Sequence, residues 1–179
     1  MKQVLLFGYG SQEEAACAVI RQQGCTARVV QAQEMDQKIG YLCGLPGYHF
    51  KKPREEKPVH PGALMVFQDL THEELEQLLQ ALRAASVTVR SVKAMVTPTN
   101  REWTLRHLGD EVREEHEVMK ILIQLKKLRD QLPMPQPTDF RLVAALMKAE
   151  ELLSGTREVS LEEAQQAQQM LLAAAAEKL

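Results

Sequence analysis

A chain of 179 residues, 45% of them hydrophobic, suits one ordinary domain or a small one with an appendage, and it is too apolar for wholesale disorder. A formal net charge of −2 excludes the strongly basic balance of a dedicated nucleic-acid binder. The N-terminal apolar run Val4–Phe7 is too short for a signal peptide or a membrane span, and three cysteines without framework spacing point to reduced thiols in a cytoplasmic protein.

Val4-Leu-Leu-Phe7 is apolar at every position, as expected of a strand covered on both faces. Gly8-Tyr9-Gly10-Ser11 turns the chain, and Ser11-x-x-Glu14 reads as a capping box opening a helix. Ala27–Val30 is a second short strand, followed by a short helix ending at Leu42-Cys-Gly44. Residues 47–61, with Pro53, Pro58, Pro61 and mixed charges, have no period and read as a mobile loop. The second half repeats the order: a strand at Leu64–Phe67, a box at Thr71-x-x-Glu74, a strand within Val89–Val96 and a box at Thr99-x-x-Glu102. Val4–Glu14 lies over Leu64–Glu74 without a gap, and Gly24–Val30 lies over Ser86–Val92 after a two-residue slip.

The expected architecture is therefore α/β: two βαβα half-repeats, residues 1–46 and 62–110, forming a four-stranded parallel sheet with helices on both faces. The alternative is a ferredoxin-like βαββαβ sheet. In the parallel form the turns after strands one and four share one edge, where α/β proteins bind ligands. In the ferredoxin-like form they lie at opposite ends.

Beyond residue 110 the pattern becomes helical. Val118, Ile121, Leu125, Leu128 and Leu132 step by 3, 4, 3, 4, the seam of a helix over 111–132 that packs on other helices. Further helices are expected at about 138–153 and 161–177, completing a helical appendage over 111–179.

Two turns could carry ligand chemistry. Gly8, Gly10 and Ser11 precede a helix start, where exposed amides favour anions, although Glu13 replaces the third glycine of a dinucleotide fingerprint. Thr97 and Asn100, with Lys93 before them and Trp103 after, could line a small polar site once helix capping has accounted for Thr99 and Glu102. No catalytic residues are assigned, because no nucleophile is paired with a base in sequence; Cys43, His49 and His60 lack a standard metal-ligand spacing, and no cofactor is implied.

The segment Leu64–Val118 resembles the bacterial family catalogued as domain of unknown function 3783. The resemblance rests on Met65-Val-Phe67, on Leu70-Thr-His-Glu-Glu-Leu75, and above all on Val92-Lys-Ala-Met-Val-Thr-Pro-Thr-Asn100 followed by Trp103, Leu105 and Leu108. It implies domain limits and no activity. Leu142–Leu153 with Leu161–Leu172 looks like the small helical hairpins of bacterial surface proteins, a pattern that any amphipathic Ala/Leu hairpin shows.

The function expected from these features is a non-enzymatic interaction or regulatory protein. It would associate with a protein partner or a second copy through its helical region, with no strong nucleic-acid signal and no membrane involved. The alternative is an anion- or nucleotide-binding sensor using Gly8–Ser11 and Thr97–Asn100.

Overall fold

The computed structural model describes residues 1–52, 62–132, 135–136 and 138–176. Contacts divide the chain into two compact units, residues 1–112 and 113–179.

In the first unit, β1 (Gln3–Phe7), α1 (Glu13–Gln22), β2 (Thr26–Val29) and α2 (Ile39–Leu42) form one half. β3 (Ala63–Gln68), α3 (His72–Ala84), β4 (Ser91–Met95) and α4, which starts at Leu105 and runs to Gln131, follow. The four strands make one sheet in the order β2-β1-β3-β4. β1 pairs parallel with β2 and β3 parallel with β4, but β1 meets β3 antiparallel. The sheet is thus mixed, which corrects the parallel expectation. Its strands have the directions of the ferredoxin-like alternative, yet each βαβ pair stays adjacent as in a parallel fold. Alternating strands and helices fix each parallel pair, and nothing in that alternation fixes how the two pairs join.

Helices do cover both faces. Val4, Leu6, Met65 and Phe67 point to the side carrying α1 and α3, where they pack with Ile20, Leu78 and Leu82. Leu5, Phe7, Leu64 and Val66 point to the other side, against Ile39 and Leu42 of α2 and Leu105 and Leu108 of α4. Period-two alternation within all-apolar strands feeds both cores at once.

The halves match each other with a different register from the ungapped one. Val4 and Leu64, superposed in sequence, face opposite cores. A one-residue shift puts Val4 over Met65 and Leu6 over Phe67 on the same face, because a single slip exchanges every side chain between faces. The same shift lays Gly8 (φ 75°) over Asp69 (φ 57°) and Tyr9 over Leu70. The antiparallel ladder then has a local two-fold through the pair Leu5–Val66.

Both connecting helices end alike. Gly24 (φ 75°) closes α1, with its N–H donating to the Arg21 carbonyl and that of Cys25 to Ile20. Ser86 (φ 58°) closes α3 by the same two bonds, from Ser86 to Arg83 and from Val87 to Leu82. The two-residue slip holds at this cap and fails after it. β2 begins two residues after Gly24, whereas β4 begins five after Ser86, so Thr88-Val89-Arg90 is extra chain in the second half.

Of the four capping boxes, Thr71 with Glu74 and Ser160 with Glu163 form in both directions. Neither Ser11 nor Thr99 caps a helix. α4 is opened instead by Thr104, whose Oγ1 accepts from the His107 N–H at 3.1 Å, and it runs unbroken through Gly109.

In the second unit the C-terminal part of α4, α5 (Phe140–Leu153) and α6 (Leu161–Ala176) share a core around Leu125, Leu142, Ala149 and Leu171. Leu125, Leu128 and Leu132 of the 3-4 seam are therefore covered by the chain's own helices, whereas Val118 and Ile121 are half-buried and outside that core. At the start of α6, Arg157 bonds Glu163 and holds its carboxyl down at about 2, with the Ser160 N–H assisting.

Ser86 occupies a left-handed position that costs a residue with a Cβ about 1 kcal/mol, so Ser86→Gly should raise unfolding stability by about that much and Gly24→Ala, with open space around its Cβ, should lower it comparably. Urea denaturation of the two variants measures both signs.

Candidate functional site

The sequence-selected residues do not converge. Gly8 to Ser11 follow β1, and Thr97 to Asn100 follow β4; because β4 runs opposite to β1, the two turns lie at opposite edges of the sheet. A five-residue strand spans roughly 17 Å, which puts both turns beyond one small ligand. Lys93 and Trp103 are also separated. Lys93 pairs with Met65 in register on the α1/α3 side, while Trp103 packs in the core on the α2 side.

Local structure accounts for most of these side chains. Gly8 has a positive φ, and a Cβ there would sit 3.1 Å from the Ala63 Cα, so backbone packing against β3 demands glycine. Gly10 and Ser11 form a 3-10 turn and stay exposed. Asn100, 8% exposed, is a turn lock. Its Oδ1 accepts from the Thr97 N–H at 2.8 Å, Thr97 Oγ1 accepts from the Asn100 N–H at 3.1 Å, and Nδ2 donates to the Met95 carbonyl at 2.8 Å. Trp103 stacks at 59° on His107, 4.7 Å between centroids, and its carbonyl accepts from the Ile39 N–H at 2.9 Å.

A site that sequence patterns passed over lies beside α2. A cleft of 470 Å³ is lined by Asp36, Lys38, Tyr48, His49, Lys51 and Glu102. Glu102, assigned in sequence to a cap, accepts from Lys38 Nζ at 2.8 Å and from the Tyr48 hydroxyl. The Lys38 bond and then the Tyr48 bond hold its carboxyl below the usual range, and the same bonds to Glu102 raise both donors. Asp36 is paired with Arg106 at 3.0 Å. Beneath them Gln37, 1% exposed, donates to the Lys51 carbonyl at 2.6 Å and accepts from its N–H at 2.9 Å.

These bonds fasten residues 48–51 of the expected mobile loop to the domain; residues 53–61 of that loop lie outside the described residues. The cleft's charges are thereby largely spent on one another, which suits holding a loop better than binding a charged ligand. Lys38, Tyr48 and Glu102 are far apart in sequence and share no spacing, so no motif could have joined them. The usable signal was the Pro46-Gly47 turn, which brings Tyr48 back over Gly40.

All three cysteines are buried. Burial pushes their thiols up, that of Cys43 to about 11, away from nucleophilic reactivity. Among the described residues no three His, Cys, Asp or Glu side chains gather as metal ligands; His60 of the weighed Cys43, His49 and His60 set lies outside them. No helix among those residues is long and apolar enough to cross a membrane.

Residues 63–119 match the model of a domain of unknown function (DUF3783). The DUF3783 match shows the resemblance carried by Leu64–Val118, and it runs from the start of β3 into α4. It therefore takes in the second half of the sheet, the Asn100 lock and Glu102, and leaves out Lys38 and Tyr48. No curated protein and no solved structure matches the chain.

Asn100→Ala removes two side-chain bonds to part-buried backbone and should cost about 1–3 kcal/mol in thermal or urea unfolding, whatever anion is added. A Cβ on Gly40 would meet the Tyr48 ring at 2.6 Å, so Gly40→Ala should cost about 1–3 kcal/mol. Most of that loss should vanish in a Tyr48→Ala background, and a double-mutant cycle with no coupling would refute this packing.

Proposed function

We propose that this chain is a non-enzymatic interaction protein of the bacterial cytoplasm, which associates through its helical unit. The observation that supports it best is an apolar stripe on α5. Phe140 is 77% exposed and Met147 70%, with half-buried Val143 between them, so the i, i+3, i+7 spacing aligns all three on one helix face. Beside them a groove of 500 Å³ is lined by Leu132, Pro135 and Leu146 and rimmed by Arg129 and Glu150, which pair at 2.8 Å. An aromatic and a methionine standing beside an apolar groove resemble the anchors of protein interfaces.

The helical seam first suggested association, and its part from Leu125 to Leu132 is taken up within the chain by the core around Leu125 and Leu171, which leaves the α5 face as the exposed apolar surface. Raised, buried thiols and a carboxylate already bonded twice in the cleft beside α2 favour binding over catalysis. Reduced cysteines fit a cytoplasmic setting. The local two-fold supports an internal duplication behind the two βαβα halves.

The partner proposed is a second copy of the chain. Light scattering over a range of concentrations should show a mass rising above the 20.2 kDa monomer, and Phe140→Ser with Met147→Ser should return it to monomer with unchanged helix content. A wild-type mass of one chain at every concentration overturns self-association.

A further inference from the structure

The extra residues Thr88-Val89-Arg90 line a cleft. The cleft has a volume of 380 Å³ and lies between the C-terminal turn of α3 and the edge strand β4. Its floor is apolar: Met65 and Leu82 are buried there, with Leu79, Val87 and Val89 around them. Its rim carries Arg83, Arg90 and Lys93, with the hydroxyls of Tyr9, Thr88 and Ser91. No carboxylate lines it. Among the described residues, neither Arg83 nor Arg90 is engaged in an ion pair.

Its hydrogen bonding is one-sided. Gln12 reaches across from the turn after β1, and its Oε1 accepts from the N–H groups of Thr88 at 2.9 Å and Val89 at 3.2 Å. Its Nε2 donates to Thr88 Oγ1 at 3.3 Å. Tyr9, 3% exposed, donates its hydroxyl to Ser91 Oγ at 2.7 Å. Thr88 and Ser91 therefore use their oxygens as acceptors inside the fold and keep their own O–H for an outside acceptor, since each hydroxyl carries one proton. Lys93 spends one of three donors on the Ser91 carbonyl at 3.2 Å. What the rim offers is two guanidinium groups, an ammonium and two hydroxyl protons.

The α3 C-terminus would otherwise oppose an anion through its carbonyls. Here the last turn is closed on itself, the Leu82 and Arg83 carbonyls accepting from Val87 and Ser86 at 2.9 and 3.0 Å.

We propose that this cleft binds a small organic phosphate with an apolar body, the phosphate held by Arg83, Arg90 and the Ser91 hydroxyl and the body lying on Met65, Leu79 and Leu82. Arginine forks match phosphate oxygens in pairs. The apolar floor distinguishes such a ligand from inorganic phosphate, and the absence of an exposed aromatic platform sets it apart from a single-stranded nucleic acid. This site is independent of the α5 face.

The test is calorimetric titration of the full chain with phenyl phosphate, hexyl phosphate and inorganic phosphate, alongside flotation with vesicles containing phosphatidic acid. At least one organic phosphate should bind saturably, and at least about tenfold more tightly than inorganic phosphate. The exposed pair Arg83→Gln/Arg90→Gln should weaken it at least about tenfold, each arginine supplying a charge-assisted bond. Lys120→Gln, on α4, should leave it unchanged. Backbone amide shifts at Thr88–Ser91 on titration give a second readout that does not depend on the variants. The proposal is overturned by no saturable binding of either organic phosphate, by equal binding of inorganic phosphate, or by undiminished binding in the double variant. Binding to vesicles without binding of a free organic phosphate overturns it as well.

Discussion

The antiparallel contact between β1 and β3 is the constraint from which the architecture of the first unit follows. Each half on its own is a parallel βαβ pair, and two such pairs can be joined side by side in either direction. Pairing Leu5 with Val66 head to tail places α1 and α3 on the same face and sends the ends of β1 and β4 to opposite edges. A ligand site built in two symmetric parts at one edge is thereby ruled out.

The two halves differ in small ways with large effects. The chain reverses after β1 through glycine and after β3 through aspartate in the left-handed conformation; Tyr9 stands where Leu70 stands, and its hydroxyl needs the partner that Ser91 provides. Three residues inserted after one helix cap delay the start of β4 and line the cleft beside α3. A long polar side chain, Gln12, then crosses the two-fold to satisfy the amides that the insertion exposes.

Much of this was legible in the residues. Val4-Leu-Leu-Phe7 and Leu64-Met-Val-Phe67 announced strands covered on both faces, and the boxes at Thr71 and Ser160 marked two helix starts where they occur. The helix over 111–132 was seen through its seam, although it begins earlier, at Leu105, because Thr104 caps it and a single Gly109 does not break it. Strand direction was not legible, since β3 reads alike from either end. Nor was the register of the two halves: Val4 matches Leu64 by letter and Met65 by face, and apolar residues on both faces erase the alternation that would have shown the slip. Asn100 and Thr97 were singled out as candidate ligand-binding residues; they bond one another and the backbone.

The order β2-β1-β3-β4 leaves the sheet open at both sides, each outer strand carrying a row of backbone groups toward solvent. Such rows recruit strands from other molecules unless something spoils the fit. β2 carries Arg28 and β4 carries Lys93, one cation within each short outer strand. At the β4 margin a strand approaching from a second molecule would have to bring its own chain against the exposed Lys93 ammonium. At the β2 margin Arg28 is turned inward, paired with Glu34 and bonded to the Leu42 carbonyl, so that flank is held by a side chain that ties the strand to its own fold.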